Sequence, residues 1–403
     1  MSRVQSREQG FALAATILAL VLVGALVTGG FFAASQEHHI GTSTQFSKEA
    51  FYYAERGLND ALGSYTRGFL EAQMPNVPDS LPVQGVLGPV SITSNGQPVG
   101  DYALRIRRLD SLLYFIQSTG RVLEGGRYGG ATRTLGVLAR AVNMNLPENR
   151  ALHIFGQVSI GGTSEVDGRD SRPDAWSANC PPLLDPVPGI VTRDASQVAV
   201  SGSGEIFGEP KILEDPGIGT GDFANFGDMT FDDLAALAVA DGKVIPPGAE
   251  VNNTGPVLTG DGRCDMSNLY NWGEPFNNQH PCYNYFPIIY AQGDLHLTGA
   301  TYGQGILLVE GDLEMGGGFQ FFGITIIRGR LKTTGRGGHL NGITLVQSGG
   351  SLDSDWESIA RGNSEVNFSS CAIQRALDNN PWTSRLVPIA QRSWMDLSAA
   401  SGG

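Results

Sequence analysis

The chain has 403 residues and a formal net charge of −13, and this length predicts two or three structural units. Its acidic balance argues against a nucleic-acid partner, because neutralising phosphates requires clusters of Lys and Arg that this sequence lacks. The 55 glycines follow no Gly-X-Y period and indicate many tight turns between short strands.

The first predicted element is a membrane-spanning helix. No charged residue occurs between Phe11 and Gln36, and about 20 apolar residues are enough to cross a bilayer. A short polar segment containing Arg3 and Arg7 comes before it. Basic residues on that flank stay in the cytoplasm, so the sequence predicts a single span with the rest of the chain outside the cytoplasm.

The helix is predicted to continue well beyond the apolar run, over residues 11–74. This range contains no proline, and Pro75 follows it. Apolar residues in the second half recur at three- and four-residue steps, which is typical of one buried helix face. They are Phe46, Ala50, Ala54, Leu58, Ala61 and Leu62. This half is therefore expected to pack on a globular head.

Two short motifs give the N-terminal region a family resemblance. In the first, Gln9-Gly10-Phe11-Ala12-Leu13, a polar leader ends in Gly and an apolar helix begins with Phe. The second, residues 48–58, reads KEAFYYAERGL. The layout resembles the type IV pilins, and most closely the PilX N-terminal-domain family of minor pilins. The second motif is similar to that family's recurring Ala-Phe-x-x-Ala-Glu-x-Gly-Leu.

The resemblance implies a processing route and a set of partners. Residues 1–10 would be a prepilin leader that a prepilin peptidase removes after Gly10, and Phe11 would become the N-methylated first residue. The helix would be stored in the inner membrane and would then pack against other pilins in an extracellular type IV pilus-like fibre. The residues expected to make these contacts are Phe11, Leu13, Ile17, Leu20, Leu22, Leu26, Phe31 and Phe32.

One departure from the pilin pattern concerns the fifth residue after the cleavage point. Major pilins carry Glu there, where it is thought to pair with a neighbour's terminal amine, whereas this chain carries Ala15. The sequence therefore favours a minor subunit at the fibre tip or in an initiating complex. The alternative, an uncleaved signal anchor with a stalk helix, does not explain the Gly10–Phe11 boundary.

A small antiparallel sheet is predicted within residues 76–146. Residues 76–100 are rich in Pro, Gly and Ser and are interpreted as a connector. Three strand-like runs follow, and the first alternates apolar and charged side chains, as a half-buried strand does. The runs are Asp101–Leu109, Leu112–Ser118 and Thr132–Val142. We expect them to lie on the back of the long helix.

Residues 147–350 are predicted to form an irregular β-helix with long inserted loops. The recurring units are Gly293-Asp294-Leu295, Gly311-Asp312-Leu313 and Gly329-Arg330-Leu331, 18 residues apart, and the apolar runs that start at Gly305, Gly323 and Gly342, 18 and 19 residues apart. Self-similarity at such a period is typical of a solenoid, whose turns stack on one another. The alternative is a β-sandwich with similar hairpins.

The predicted fold class is therefore α+β: a long N-terminal pilin helix, a small antiparallel sheet, then a mainly-β head with a β-helix (solenoid) of about 18 residues per turn. Residues 351–403 are interpreted as a C-terminal capping segment, with a strand at 366–368, a helix at 371–377 and a tail in which Trp394 docks back.

An insertion over residues 210–285 is predicted to interrupt the solenoid. Thr230 and Asp233 have the spacing of a capping box that starts a short helix. Asn271–Tyr290 is dense in Trp, Phe, Tyr and Asn, which are frequent at contact surfaces. This segment is either a binding loop or a loop packed over one end of the solenoid.

The cysteines predict disulfides. None of the four lies in a CxxC pair, which argues against a zinc or redox site. An even number in an exported chain suggests two bridges. Cys264 and Cys282 flank one polar, aromatic loop, so we favour that pair, which leaves Cys180 with Cys371. Four buried free thiols would be expected if most of the chain were cytoplasmic.

No catalytic motif is recognisable. The six histidines lack metal-ligand spacing, and no nucleophile elbow or phosphate-binding loop occurs. Two aspartate clusters are expected to be helix caps and solvated charge: Asp167, Asp170 and Asp174, and Asp228, Asp232 and Asp233. The sequence predicts no cofactor, no metal and no enzymatic activity.

The function favoured by the sequence is that of a minor pilin in pilus assembly. One alternative is a cell-adhesion protein on the same anchor, with residues 265–290 binding a surface ligand or glycan. A less favoured alternative is an anchored polysaccharide-active β-helix enzyme. An outward-facing pair of carboxylates on one solenoid face would favour the enzyme, and an aromatic patch would favour the adhesin.

Overall fold

The computed structural model describes residues 8–82, 85–123, 130–147, 149–299, 301–333, 337–347, 358–360, 363–389 and 393–398, and within these the side chains of 8–12 and 358–360 are left out. The chain divides into two compact units. The first contains residues 1–64, 74–140 and 387–403, and the second contains residues 65–73 and 141–386.

The helices and strands fit the predicted α+β class, a long N-terminal helix followed by mainly β structure. In chain order they are α1 (Glu8–Ser64), α2 (Arg67–Gln73), β1 (Asp79–Leu81), β2 (Leu87–Ser94), β3 (Gln97–Arg108), β4 (Leu113–Val122), β5 (Thr132–Ala141), β6 (Leu152–Ile154), β7 (Val158–Ile160), β8 (Glu165–Asp167), β9 (Ile190–Thr192), β10 (Val198–Val200), β11 (Glu205–Phe207), β12 (Ile212–Glu214), β13 (Asn225–Phe226), β14 (Met229–Thr230), α3 (Phe231–Ala240), β15 (Val244–Ile245), β16 (Ala249–Val251), β17 (Ile288–Ala291), β18 (Leu295–Leu297), β19 (Tyr302–Val309), β20 (Leu313–Met315), β21 (Phe319–Ile327), β22 (Leu331–Thr333), β23 (Gly338–Val346), β24 (Ser358–Ala360), β25 (Glu365–Phe368), α4 (Ser370–Asp378), α5 (Pro381–Ser384), β26 (Leu386–Pro388) and β27 (Trp394–Asp396).

The sequence predicted a single helix as far as Met74, but α1 is shorter. It ends at Ser64, and the short helix α2 follows after a two-residue break. The Thr66 hydroxyl accepts a hydrogen bond from the backbone N–H of Phe69 at 3.4 Å, and the Thr66 backbone forms a bridge with Arg385. A capping threonine satisfies the open N–H groups at the start of a new helix. The break after Ser64 therefore coincides with the cap that starts α2 and lies well before Pro75.

The antiparallel sheet of the first unit contains more strands than predicted. Its order is β1-β3-β4-β5-β26, with β2 beside β3 and β27 beside β5. Strands β3, β4 and β5 correspond to the three predicted runs. Residues 76–100, interpreted as a connector, also contain β1, β2 and the start of β3. Asn95 and Gly96, both with positive φ (51° and 78°), join β2 to β3. Asn-Gly is a strong hairpin signal, and the sequence interpretation missed it.

Two parallel sheets make up most of the second unit. One has the order β10-β7-β24-β22-β20-β18-β16, and the other follows the path β11-β8-β25-β23-β21-β19-β17-β15. In the first sheet Leu295 pairs with Leu313, and Leu313 pairs with Leu331. In the second, β19, β21 and β23 pair so that Gly305, Gly323 and Gly342 are neighbours. The repeat of 18 or 19 residues seen in the sequence is therefore the number of positions that separates a residue from its partner on the neighbouring strand.

The same register explains the repeated glycines. Gly305, Gly323 and Gly342 have φ values of 120°, 142° and 139°, a region that side chains with a Cβ rarely adopt. A Cβ at Gly323 would overlap the Gly305 carbonyl oxygen, and one at Gly342 would overlap the Gly323 carbonyl oxygen. Glycine is therefore required at this position of each strand for the backbones to stack.

Both parallel sheets bury their apolar side chains in one hydrophobic core. Leu295 and Leu313 enter it from one sheet, and Leu307, Val309 and Phe321 enter it from the other; all five are at most 1% exposed. In these strands buried side chains follow one another in longer runs and do not alternate with polar ones. Such runs are expected for strands in parallel sheets that are covered on both faces.

The C-terminal segment is not a cap on the end of the sheets. Strand β25 lies between β23 and β8, and β24 lies between β22 and β7. These strands of residues 351–403 are therefore internal, because strands β7 and β8 from early in the chain pair with them. Helix α4 covers the predicted helix at 371–377, and β27 returns to β5, where Trp394 pairs with Val137 but remains 44% exposed.

Two disulfides lie in the second unit. They join Cys180 to Cys371 and Cys264 to Cys282, the two pairs favoured above, and their sequence separations are 191 and 18 residues. A cross-link restricts the unfolded chain more strongly when it closes a longer loop.

Replacing Cys180 and Cys371 with Ala is expected to lower the free energy of unfolding of the second unit by about 5 kcal/mol, against about 3 kcal/mol for Cys264 and Cys282. Urea unfolding followed by tryptophan fluorescence measures both values, since Trp176 and Trp272 are fully buried in this unit. Equal losses for the two pairs would contradict the loop-closure explanation.

Candidate functional site

The apolar half of α1 is the first candidate site. The segment beginning at Leu13 has a mean hydropathy of 2.4 in its most apolar window, none of which is buried, and the helix is long and apolar enough to cross a membrane. Each described residue of the predicted packing set is more than half exposed. These residues are Leu13, Ile17, Leu20, Leu22, Leu26, Phe31 and Phe32.

The exposed apolar side chains are not confined to one face. Leu18, Val21, Val23 and Val27 are also between 57% and 66% exposed, and they fill the positions between the predicted contacts. A helix that is hydrophobic all round requires an apolar environment on every side. A bilayer or a bundle of similar helices provides such an environment, whereas one flank of a globular head does not.

The polar side chains inside this segment form hydrogen bonds within the helix. The Thr16 hydroxyl donates to the Leu13 carbonyl at 2.9 Å, and the Thr28 hydroxyl donates to the Gly24 carbonyl at 2.8 Å. Because a bilayer core contains no water to satisfy hydroxyl groups, such internal bonds make these threonines compatible with lipid.

The predicted processing site lies at the beginning of α1. Gly10 and Phe11 have helical backbone. The side chain of Phe11 lies outside the described part of the structure, and so do residues 1–7 with Arg3 and Arg7.

The second half of α1 packs on the antiparallel sheet through the second family motif. Ala50, Ala54 and Leu58 are completely buried. A Cβ at Gly57 would overlap the side chains of Ser118 and Tyr102, so a residue without one is needed there. The small residues of the motif allow the helix and the sheet to approach closely.

Polar contacts hold the same helix–sheet interface at its edges. The Tyr102 hydroxyl donates to the Asp60 carboxylate at 2.6 Å, and the Arg133 guanidinium donates to the Ser47 hydroxyl at 2.8 Å. This half of α1 is thus attached to the antiparallel sheet over several turns, while no described residue of the unit buries the apolar half.

The predicted aspartate clusters form caps and ion pairs. Asp233 completes the capping box of α3, accepting from the Thr230 N–H at 2.9 Å. Asp170 accepts from the Ser370 N–H at 2.9 Å, and Asp232 lies 2.9 Å from the Arg328 guanidinium. The described residues contain no group of three His, Cys, Asp or Glu side chains that would hold a metal ion.

A different carboxylate pair escaped the sequence analysis. Glu165 and Glu365 are register neighbours on the parallel strands β8 and β25. Burial, and then the neighbouring Asp167 and Glu365, raise the pKa of Glu165. Glu365 lies 3.0 Å from His339, and Asp167 lies 2.7 Å from Arg169. Glu165 and Glu365 are 200 residues apart in the chain, so a search for short sequence motifs does not find this pair.

The aromatic segment 271–290 is mostly packed into the second unit. Trp272 is fully buried and Phe286 is 2% exposed, and Gln304 donates to the carbonyl groups of Tyr283 and Tyr285 at 2.9 Å. Phe276 is an exception at 44% exposed. Packing therefore explains both ends of the segment, whereas residues 276–279, 281 and 284 in its interior are exposed.

Comparisons with known proteins give a structural likeness but no related sequence. No protein-family model matches the chain, and no curated protein does. Among solved structures, the competence-associated pilin ComZ from Thermus thermophilus matches with 14% identity and a TM-score of 0.23, over 88% of this chain and 96% of that chain. A TM-score this low establishes neither fold nor function.

Proposed function

We propose that this chain is a minor pilin, a pilus assembly subunit that α1 holds in the inner membrane before it enters a type IV pilus-like fibre. The observation that carries the proposal is the division of one continuous helix. From Phe11 to Gln36 the helix carries no charged residue and exposes apolar side chains all round, and its second half is docked on a sheet through the Ala50–Leu58 face. Such a helix attaches a globular head to an apolar segment that lies in the membrane first and packs against the apolar helices of other pilins after assembly.

The partners follow from this role. Other pilins would contact the apolar half, and a prepilin peptidase would cleave after Gly10 and methylate Phe11. Ala15 supplies no carboxylate to a neighbour's terminal amine, which supports a rare PilX-like subunit at the tip or in an initiating complex rather than a repeating shaft subunit.

We also infer that the two parallel sheets are faces of a β-helix of about 18 residues per turn. What supports this is that Leu295, Leu313 and Leu331 are parallel neighbours in one sheet while β19, β21 and β23 are neighbours in the other. Each repeat thus contributes one strand to each sheet, as a turn of a solenoid does.

A non-enzymatic head fits the side chains best. Of the acidic groups beside Glu165, Asp167 has Arg169 as an ion-pair partner, and Glu365 lies 3.0 Å from His339. This gives less support to a polysaccharide-active enzyme. An adhesin on the same anchor has support from exposed side chains of the 265–290 segment, since Met266 and Tyr270 are 63% and 47% exposed.

Mass spectrometry of the N-terminal peptide tests the proposed function. After co-expression with a prepilin peptidase, the expected first residue is Phe11 carrying an N-methyl group. Gly10→Leu is expected to keep the leader, whereas Ala12→Leu, the matched control, is expected to be processed. An intact leader on the unaltered chain would rule out maturation as a pilin.

A further inference from the structure

A cavity of about 470 Å³ lies in the second unit beside the aromatic segment. Trp382, Tyr285 and Met266 form much of its apolar lining, and Asp241, Asn284 and Asn379 contribute polar groups. This combination of aromatic walls and a few convergent polar groups is typical of small-molecule binding sites. Trp382 comes from α5, which the sequence analysis did not connect with this segment.

The indole of Trp382 is held in place by several contacts. Its Nε1–H donates to the Asp241 carboxylate at 3.0 Å, and its backbone N–H donates to the Asn380 side chain at 3.0 Å. The buried Asn380 amide in turn donates to the Phe286 carbonyl at 3.0 Å. The Arg385 guanidinium lies 5.2 Å from the centre of the ring. The ring is therefore positioned before any ligand arrives.

The Tyr285 ring on the opposite wall is also held in place. The Tyr285 hydroxyl donates to the Met266 carbonyl at 3.2 Å. The Cys264–Cys282 disulfide links the two loop segments that contain these residues. Sites whose side chains are locked by neighbouring contacts lose less conformational entropy on binding.

The charges around the cavity nearly balance. The side chain of Lys243 is buried, its ammonium donates to the Asn268 carbonyl, and burial lowers its pKa to about 8. The carboxylates of Asp241 and Asp265 lie close enough to oppose that shift. With the Arg385 guanidinium beside the Trp382 ring, two cations face these two carboxylates. The site therefore has no net charge to attract an ionic ligand, and this favours an uncharged one.

We propose that this cavity binds a neutral sugar residue of a glycan. A pyranose has an apolar C–H face that packs on an aromatic ring, and its hydroxyl groups both donate and accept hydrogen bonds. Trp382 and Tyr285 supply the rings, and the carboxylate and amide groups at the rim supply acceptors and donors. Sugar binding would make the adhesin alternative more specific, and it rests on that alternative. It does not require cleavage after Gly10, so sugar binding and the minor-pilin function can be disproved separately.

Sugar binding is tested on the full-length chain in a detergent that is not a glycoside, because alkyl glycosides would compete. The probes are glucose, galactose, mannose and N-acetylglucosamine, with saturation-transfer NMR and tryptophan fluorescence as readouts. At least one sugar is expected to bind with millimolar affinity. Trp382→Ala is expected to weaken that binding about tenfold or more. Trp394→Ala, which removes a 44%-exposed indole of the first unit, is the matched control and should leave binding unchanged.

Two results would overturn the proposal: no saturation transfer from any of the four sugars, or equal binding by the unaltered chain and a folded Trp382→Ala variant. Circular dichroism and intact disulfides establish folding. If Trp382→Ala does not fold, Met266→Ala decides, because Met266 is 63% exposed and its loss does not disturb a core. A drop of about threefold would support the proposal, and unchanged binding would overturn it.

Discussion

Replacing Leu20 with Arg is expected to release most of the protein from the membrane fraction. Leu20 is 72% exposed and lies within the uncharged part of α1. An Arg near the centre of a spanning helix costs about 2.5–3.5 kcal/mol on insertion, and this is on the order of a hundredfold change in the insertion equilibrium. Alkaline extraction of membranes, followed by detection of the chain in pellet and supernatant, measures the effect.

Ile40→Arg is the matched control for this experiment. Ile40 is 64% exposed on the same helix but follows Glu37, the first charged residue after the apolar run. We expect this variant to remain in the membrane pellet because a charge at the end of a span reaches the aqueous interface. If Leu20→Arg is retained as fully as Ile40→Arg, the apolar half of α1 does not span the membrane.

Replacing Gly120 with Val is expected to detach α1 from the antiparallel sheet. Gly120 lies on β4 opposite Tyr102 of β3. A Cβ at Gly120 would overlap the carbonyl oxygen of Ala50 and the backbone nitrogen of Ala54. A flexible side chain can move aside, but helix backbone cannot. The cost is expected to exceed about 4 kcal/mol, the range reached by severe core disruption.

Hydrogen–deuterium exchange over residues 50–61 measures this loss of packing, and faster exchange is the expected result. Gly63→Ala is the control, since a Cβ at Gly63, also in α1, would meet no atom within 4 Å. That variant is expected to be stabilised by up to about 1 kcal/mol, because Ala has the higher helix propensity. Protection of residues 50–61 that survives Gly120→Val would show that the interface tolerates a larger residue.

Features that depend only on residues close together in the sequence could be predicted from it. The uncharged run after Phe11 and the buried stripe through Ala50 and Ala54 follow from composition and helical period. The capping box of Thr230 and Asp233 needs only a three-residue spacing. The hairpin at Asn95 was equally local, and its turn signal was present but not used.

The strand repeat was also visible in the sequence, because parallel strands paired in register present the same residue types to the strands beside them. Gly305, Gly323 and Gly342 recur for a steric reason that acts between neighbouring strands. The repeat did not show that β24 and β25 would lie inside the sheets. Their neighbours β7 and β8 come from far earlier in the chain, and pairing at such distances leaves no periodic trace.

Only the tertiary structure decided which distant side chains meet. The bridge just after α1 joins Thr66 to Arg385, and the proposed sugar cavity depends on Trp382 reaching Asp241 and Tyr285. Periodicity reports which face of an element is buried, but it carries no information on which element covers that face. The apolar half of α1 is therefore determined by the local sequence, whereas the proposed ligand site is formed only when distant parts of the chain fold together.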